Sequence, residues 1–156
     1  MSRISANARE KTPQFHAYVN EAIGMNETND CAVRALAAIS ELSYKEAHAL
    51  LAAEGRRPRR GTEMFKVEKA LQSLGFIVEQ LPINAITSLF PGTHKHLQSV
   101  TPHHPVRFAK VWPAGRFILA SRQHCCAVID GMVHDWARGH ALRCPYILKV
   151  TLPTGA

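Results

Sequence analysis

The dipeptide Asp130-Gly131, set between CCAVI and MVH, constrains this chain more than any other feature. Asp-Gly supplies the two left-handed residues of a tight hairpin turn whose twist matches that of the flanking strands. The turn fixes the register of two antiparallel strands: Ile129 opposite Met132, Val128 opposite Val133, Ala127 opposite His134 and Cys126 opposite Asp135. Side chains alternate along a strand. His124, Cys126 and Val128 are therefore expected on one face together with Val133 and Asp135, and Cys125, Ala127 and His134 on the other. His124 and Asp135 become diagonal neighbours within side-chain reach.

Further strand signals are Phe76-Ile77-Val78, Arg116–Ala120 and Tyr146–Leu152, whereas the first half of the chain has a helical period. In CAVRALAAISEL, 31–42, nearly every position as far as Ile39 is small or apolar except Arg34, the pattern of a helix buried on most sides. Asn29 or Asp30 can cap its start, and Asp30 precedes Arg34 at the favourable i, i+4 spacing. Ser43-Tyr44-Lys45-Glu46 is a capping box that opens a second helix ending at Gly55. A third helix begins after Thr62 and runs to about Leu74, with Met64, Val67, Leu71 and Leu74 inward and Gly75 closing it. Asn84–Phe90 reads as a helical turn, 91–104 as a loop, and Pro105–Trp112 as a short helix. Helices first and strands later predict an α+β fold with an antiparallel sheet packed on helices. A length of 156 residues fits one domain. Residues 1–24, mixed and polar, are expected as an N-terminal arm or lead-in, and 25–156 as a single domain.

Apolar residues make up 46% and charged residues 20% of the chain, which excludes a disordered tail, a collagen-like rod and a coiled coil. No run approaches the ~18 apolar residues of a membrane helix, and the opening MSRISANAREKTPQF has no apolar signal core. A cytoplasmic protein with no membrane partner is the expectation. The net charge is +7, and four of the 19 basic residues fall in GRRPRRGT, 55–62. There Pro58 and the flanking glycines predict a short exposed turn displaying Arg56, Arg57, Arg59 and Arg60. Such a cluster suits an acidic partner, an acidic substrate or nucleic acid, though no aromatic residue is interleaved to stack bases.

Cys31, Cys125, Cys126 and Cys144 form no CxxC pair and are expected as thiols. His94, His96, His103 and His104 have no carboxylate or cysteine beside them, so no metal and no cofactor is expected. Trp112 and Trp136 read as core or groove walls. The chemistry lies elsewhere. An Asp-oriented His is a general base in need of a nucleophile, and Cys31 starts a helix, where the dipole and free N–H groups stabilise a thiolate and an oxyanion. Asp30 beside it would oppose the thiolate unless it turns to Arg34.

A cysteine opening a buried helix, followed by His and then Asp on a later hairpin, resembles the papain-like cysteine peptidase superfamily. NDCAVRALA at 29–37, SYKEAHALL at 43–51, GRRPRRGT and AVIDGMVHDW at 127–136 more closely resemble small papain-like proteins of phages and prophages. The likeness spans roughly 29–136. It implies a papain-like fold and acyl transfer on a peptide or protein substrate, with Cys31 the nucleophile, His124 the base and Asp135 its orienter. The papain pattern has a Gln ahead of the Cys, whereas position 25 here is Met, so Asn29, Asn26 or backbone N–H groups become the oxyanion donors. Gln123 stands where a Gly often precedes the His. A phage-type protein would work in the host cytoplasm or in the virion. The rival reading is a non-enzymatic phage structural or accessory module on the same fold, binding nucleic acid or protein through the 55–62 loop.

Overall fold

Helices lead and strands follow in the folded chain as well. A computed structural model describes residues 13–81, 108–109, 112–121, 124–134 and 146–152. The helices are α1 (Pro13–Gly24), α2 (Cys31–Ser40), α3 (Tyr44–Ala53) and α4 (Met64–Ser73). The strands are β1 (Ile77–Leu81), β2 (Arg116–Ala120), β3 (Cys125–Ile129), β4 (Met132–His134) and β5 (Tyr146–Thr151). They form one sheet in the order β1-β5-β2-β3-β4, with every neighbouring pair antiparallel. The fold is α+β. Among the described residues no helix is long and apolar enough to cross a membrane.

The sheet buries both faces. Toward the helices it presents Ile118, Ala120, Cys125, Ala127, Leu148 and Val150, which pack with Val33, Leu36, Ala37 and Ile39 of α2. The opposite face carries Phe117, Leu119, Cys126, Val128, Val133 and Ile147, covered by Phe108, Ala109 and Trp112. Trp112 stacks on Phe117 at 5.0 Å between ring centroids, and Phe108 meets both rings edge-on. Because α2 is apolar on nearly every side, it can sit centrally, between α3 and α4 and the sheet.

The β3–β4 register is the one Asp130-Gly131 dictates, with Ile129, Val128 and Ala127 opposite Met132, Val133 and His134. Both turn residues are left-handed, Asp130 at φ 47° and Gly131 at φ 79°. Asp130 also ties the turn to the start of β2: its N–H donates to the Gly115 carbonyl at 2.8 Å, and its Oδ1 accepts from Gly115 N–H at 2.9 Å. A Cβ at position 131 would stand 3.3 Å from the Pro113 carbonyl oxygen. Gly131→Ala is therefore expected to lose about 1–2 kcal/mol, the strain of a left-handed side-chain-bearing residue. A lower urea midpoint at unchanged slope checks this.

Several expectations are corrected. Part of the segment expected as a loose arm is helix α1, and its Tyr18 and Ala22, spaced i, i+4, are buried in the helix-side core. Helix α2 stops at Ser40 rather than Leu42, because Glu41 turns left-handed at φ 60°. Strand β1 extends to Leu81 instead of ending at Val78; it is an edge strand, so Glu79 and Gln80 are exposed and give little apolar signal. The capping box forms as written: Glu46 N–H donates to Ser43 Oγ, and Ser43 N–H donates to the Glu46 carboxylate. Residues 84–90, the 91–104 loop with its four histidines, most of the 105–112 segment, Asp135, Trp136 and Cys144 lie outside the described residues.

Candidate active site

Between α1 and α2 the chain turns through residues 25–30. Asn26, at φ 53°, closes α1: its N–H donates to the Ile23 carbonyl and Glu27 N–H to the Ala22 carbonyl, the paired bonds of a Schellman cap. Glu27 then points inward. Its carboxylate accepts two bonds from Arg56, Nη1 to Oε2 at 3.0 Å and Nη2 to Oε1 at 3.1 Å. It also accepts Arg59 N–H at 2.8 Å and contacts His48 Nε2. Arg56 Nη2 reaches the Thr28 carbonyl at 3.4 Å as well, and Asn29 Nδ2 donates to the Arg59 carbonyl at 3.1 Å. The segment leading into Cys31 is thus fastened to the 55–60 turn by a buried bidentate ion pair. Burial alone would raise the Glu27 pKa, but the bonds from Arg56, Arg59 and His48, with the Arg56 charge, hold it down at about 2.

Asp30 precedes the helix without capping it by its side chain. Its Oδ2 accepts Arg34 Nε at 3.0 Å and the Tyr44 hydroxyl at 2.7 Å. The carboxylate beside the thiol is therefore paired, and it leaves the first-turn N–H groups of α2 to other acceptors. Burial and the bond to Asp30 push the Tyr44 phenol up.

Cys31, half-buried at the head of α2, packs against the helix-side core at the start of β3. The Cys125 side chain hydrogen-bonds to its thiol and is the strongest influence on it. Burial opposes ionisation, but the Cys125 N–H and the His124 side chain, by hydrogen bond and by charge, favour it. The net effect lowers the Cys31 pKa to about 5, well below an ordinary thiol.

The structure thus brings together Cys31 and His124, and it does so by a different route from strand alternation. Cys126, Val128 and Val133 face away from α2, and Cys125 and Ala127 face it. Strict alternation from Cys126 would carry His124 to the far side. His124 stands just before β3, in the turn from β2, where Ser121 N–H donates to its carbonyl at 2.7 Å and Ser121 Oγ accepts its N–H at 3.1 Å. That turn, not the pleat, sets its direction. His134 is on the helix side but near the other end of α2, in a groove of about 490 Å³ with Tyr18, Ala38 and Arg116. Burial and then the Arg116 charge lower its pKa.

Three expected binding residues have different work. Arg56 is not displayed: at 6% exposure it is the buried partner of Glu27, because a guanidinium matches a carboxylate in bidentate geometry and cannot be buried unpaired. Arg57, Arg59 and Arg60 remain exposed. Asn26 closes α1 with its backbone alone, and Asn29 donates its amide to the Arg59 carbonyl; the backbone N–H groups of α2 stand beside these two as oxyanion candidates. Glu27 and His48 were missed by sequence reasoning. Compared with protein-family models, with curated proteins and with solved structures, the chain matches none of them.

Proposed function

We propose that this protein is a papain-like thiol hydrolase, of the kind found in phages and prophages, working by acyl transfer at Cys31. The observation that carries the reading is the hydrogen bond between Cys31, at the head of a buried helix, and His124, just ahead of strand β3 of the antiparallel sheet on which that helix packs. In the proposed reaction the Cys31 thiolate attacks a carbonyl carbon, and α2 N–H groups receive the developing oxyanion. His124 then protonates the leaving amine. The same imidazole removes a proton from water, which attacks the thioester and frees Cys31. Asp135 holds the imidazole tautomer in this scheme, by resemblance. The exposed Arg57, Arg59 and Arg60 sit on the turn bonded to Glu27 and Asn29 and would favour acidic groups on a peptide or protein substrate. The rival reading, a nucleic-acid- or protein-binding module, retains three of its four arginines.

A library of peptide, isopeptide and small amide substrates, together with an activated acyl ester, tests the proposal. Turnover, or a Cys31-linked acyl adduct seen by intact mass, is expected from the parent and absent from Cys31→Ala. Turnover unchanged in Cys31→Ala, or no adduct even with the activated ester, sinks it. Binding to an anionic oligonucleotide that weakens steeply with salt and is lost in an Arg57, Arg59 and Arg60 to Ser variant would favour the rival.

A further inference from the structure

Cys31, Cys125 and Cys126 take part in no disulfide, and the two on β3 are buried. A buried cysteine is ordinarily a small apolar filler, and Cys126, among Phe117, Val128 and Phe108, fits that description. Cys125 does not. It faces α2, its thiol hydrogen-bonds to Cys31, and its backbone N–H donates to the same sulfur. The proposed hydrolytic chemistry has no use for a second thiol in this position.

We propose that Cys31 and Cys125 are a hydroperoxide-responsive modification site, in which Cys31 is oxidised and Cys125 closes a reversible disulfide onto it. Three features of the geometry point there. Cys31 is only partly buried, which gives a small hydroperoxide more access to it than to Cys125, which is 3% exposed and meets only what Cys31 becomes. The two thiols already share a hydrogen bond, so the sulfurs begin as neighbours. Cys126, one residue on, is on the far face of the sheet and cannot compete.

The chemistry balances. The Cys31 thiolate attacks one oxygen of the hydroperoxide; the S–O bond forms as the O–O bond breaks, and the departing alkoxide or hydroxide takes a proton from His124. Cys31 is now a sulfenic acid. Cys125 loses its proton as its sulfur attacks the sulfenic sulfur. The S–S bond forms, the S–O bond breaks, and hydroxide leaves with that proton as water. Two thiols have given two electrons, and one hydroperoxide has become an alcohol, or water, plus water. A thiol reductant reverses the disulfide by exchange. The site needs only the thiolate, its neighbouring thiol and a proton donor, and it stands or falls separately from the hydrolase reading.

The experiment treats the reduced full chain with about one equivalent of hydrogen peroxide. Remaining thiols are blocked with a maleimide under denaturing conditions, and the protein is digested without reductant for peptide mass mapping. A Cys31 peptide linked to the peptide holding Cys125 and Cys126 is expected, removed by dithiothreitol, retained in Cys126→Ala and lost in Cys125→Ala. In Cys125→Ala, Cys31 should instead advance to the sulfinic acid. Sulfinic Cys31 in the parent with Cys125 still alkylated overturns the proposal. So does a link from Cys31 to Cys126 or Cys144, or a bond between Cys125 and Cys126. In the parent, fragmentation of the linked peptides that finds the maleimide on Cys126 and the bond on Cys125 is the deciding readout, so it holds even if a core variant misfolds.

Discussion

Replacing Glu27 with Ala is expected to destabilise the protein by about 3–5 kcal/mol, the usual result of stranding one member of a buried ion pair. For a domain of this size that lowers Tm by roughly 6–20 °C. The Glu27 side chain is 1% exposed and that of Arg56 2%, so neither charge can turn to water when its partner goes. Removing both charges is a different matter. Glu27→Met with Arg56→Met leaves no buried charge and should recover much of the loss, giving a coupling well above the ~0.5 kcal/mol scatter of independent sites. The pH dependence carries the same signature. The native Glu27 pKa of about 2 is below its ordinary value, so its contribution is complete above about pH 4.3, the unfolded value, and disappears as pH falls through 2. Glu27→Gln should lack that part of the acid limb. Urea or thermal melts of parent and variant from pH 2 to 7 measure it; parallel curves would show the pair to be energetically silent.

The second large effect is in thiol reactivity. At pH 6 a thiol titrating near 5 is about nine-tenths ionised, against well under one per cent for an ordinary cysteine of pKa ~8.5, a ratio near 300. Lower basicity weakens the nucleophile by roughly 40-fold over that span, taking a Brønsted slope of about 0.45. The ionisation term wins, and Cys31 should react with iodoacetamide about tenfold faster than an unperturbed thiol at pH 6. Its rate should plateau above about pH 6, where ordinary cysteines are still climbing. His124→Ala and Cys125→Ala should each move the midpoint upward, since each removes a group that favours the thiolate. A midpoint near 8.5 in the parent, unmoved by either change, would remove the basis for Cys31 as a nucleophile.

The hairpin and the starts of α2, α3 and α4 were legible in the sequence because they rest on local chemistry: Asp130-Gly131 admits few backbone conformations, and Ser43 with Glu46 satisfies two donors within four residues. The Cys31–His124 contact was reachable from residue types and order, but not from strand alternation, which does not extend into the turn where His124 stands. Glu27 and Arg56 left no local trace. A lone Glu in a polar stretch and one Arg among four look solvated, and only the 29-residue closure between them reveals a buried pair. The exposed end of β1 was obscured for the opposite reason: an edge strand does not have to alternate.

The central place of α2 has a consequence for how the chain must be made. Its sheet-facing side is covered by strands that begin at Arg116, and β3, the strand most extensively packed on it, starts at Cys125, about 85 residues after the helix ends. At ~5–20 residues per second a ribosome needs several seconds to deliver them. Throughout that interval Val33, Leu36 and Ile39 have only α1, α3 and α4 for shelter, and β1 waits for β5, the last strand to emerge. A nascent chain stalled before residue 116 should therefore bind holdase chaperones and aggregate when released, whereas the full-length chain should not.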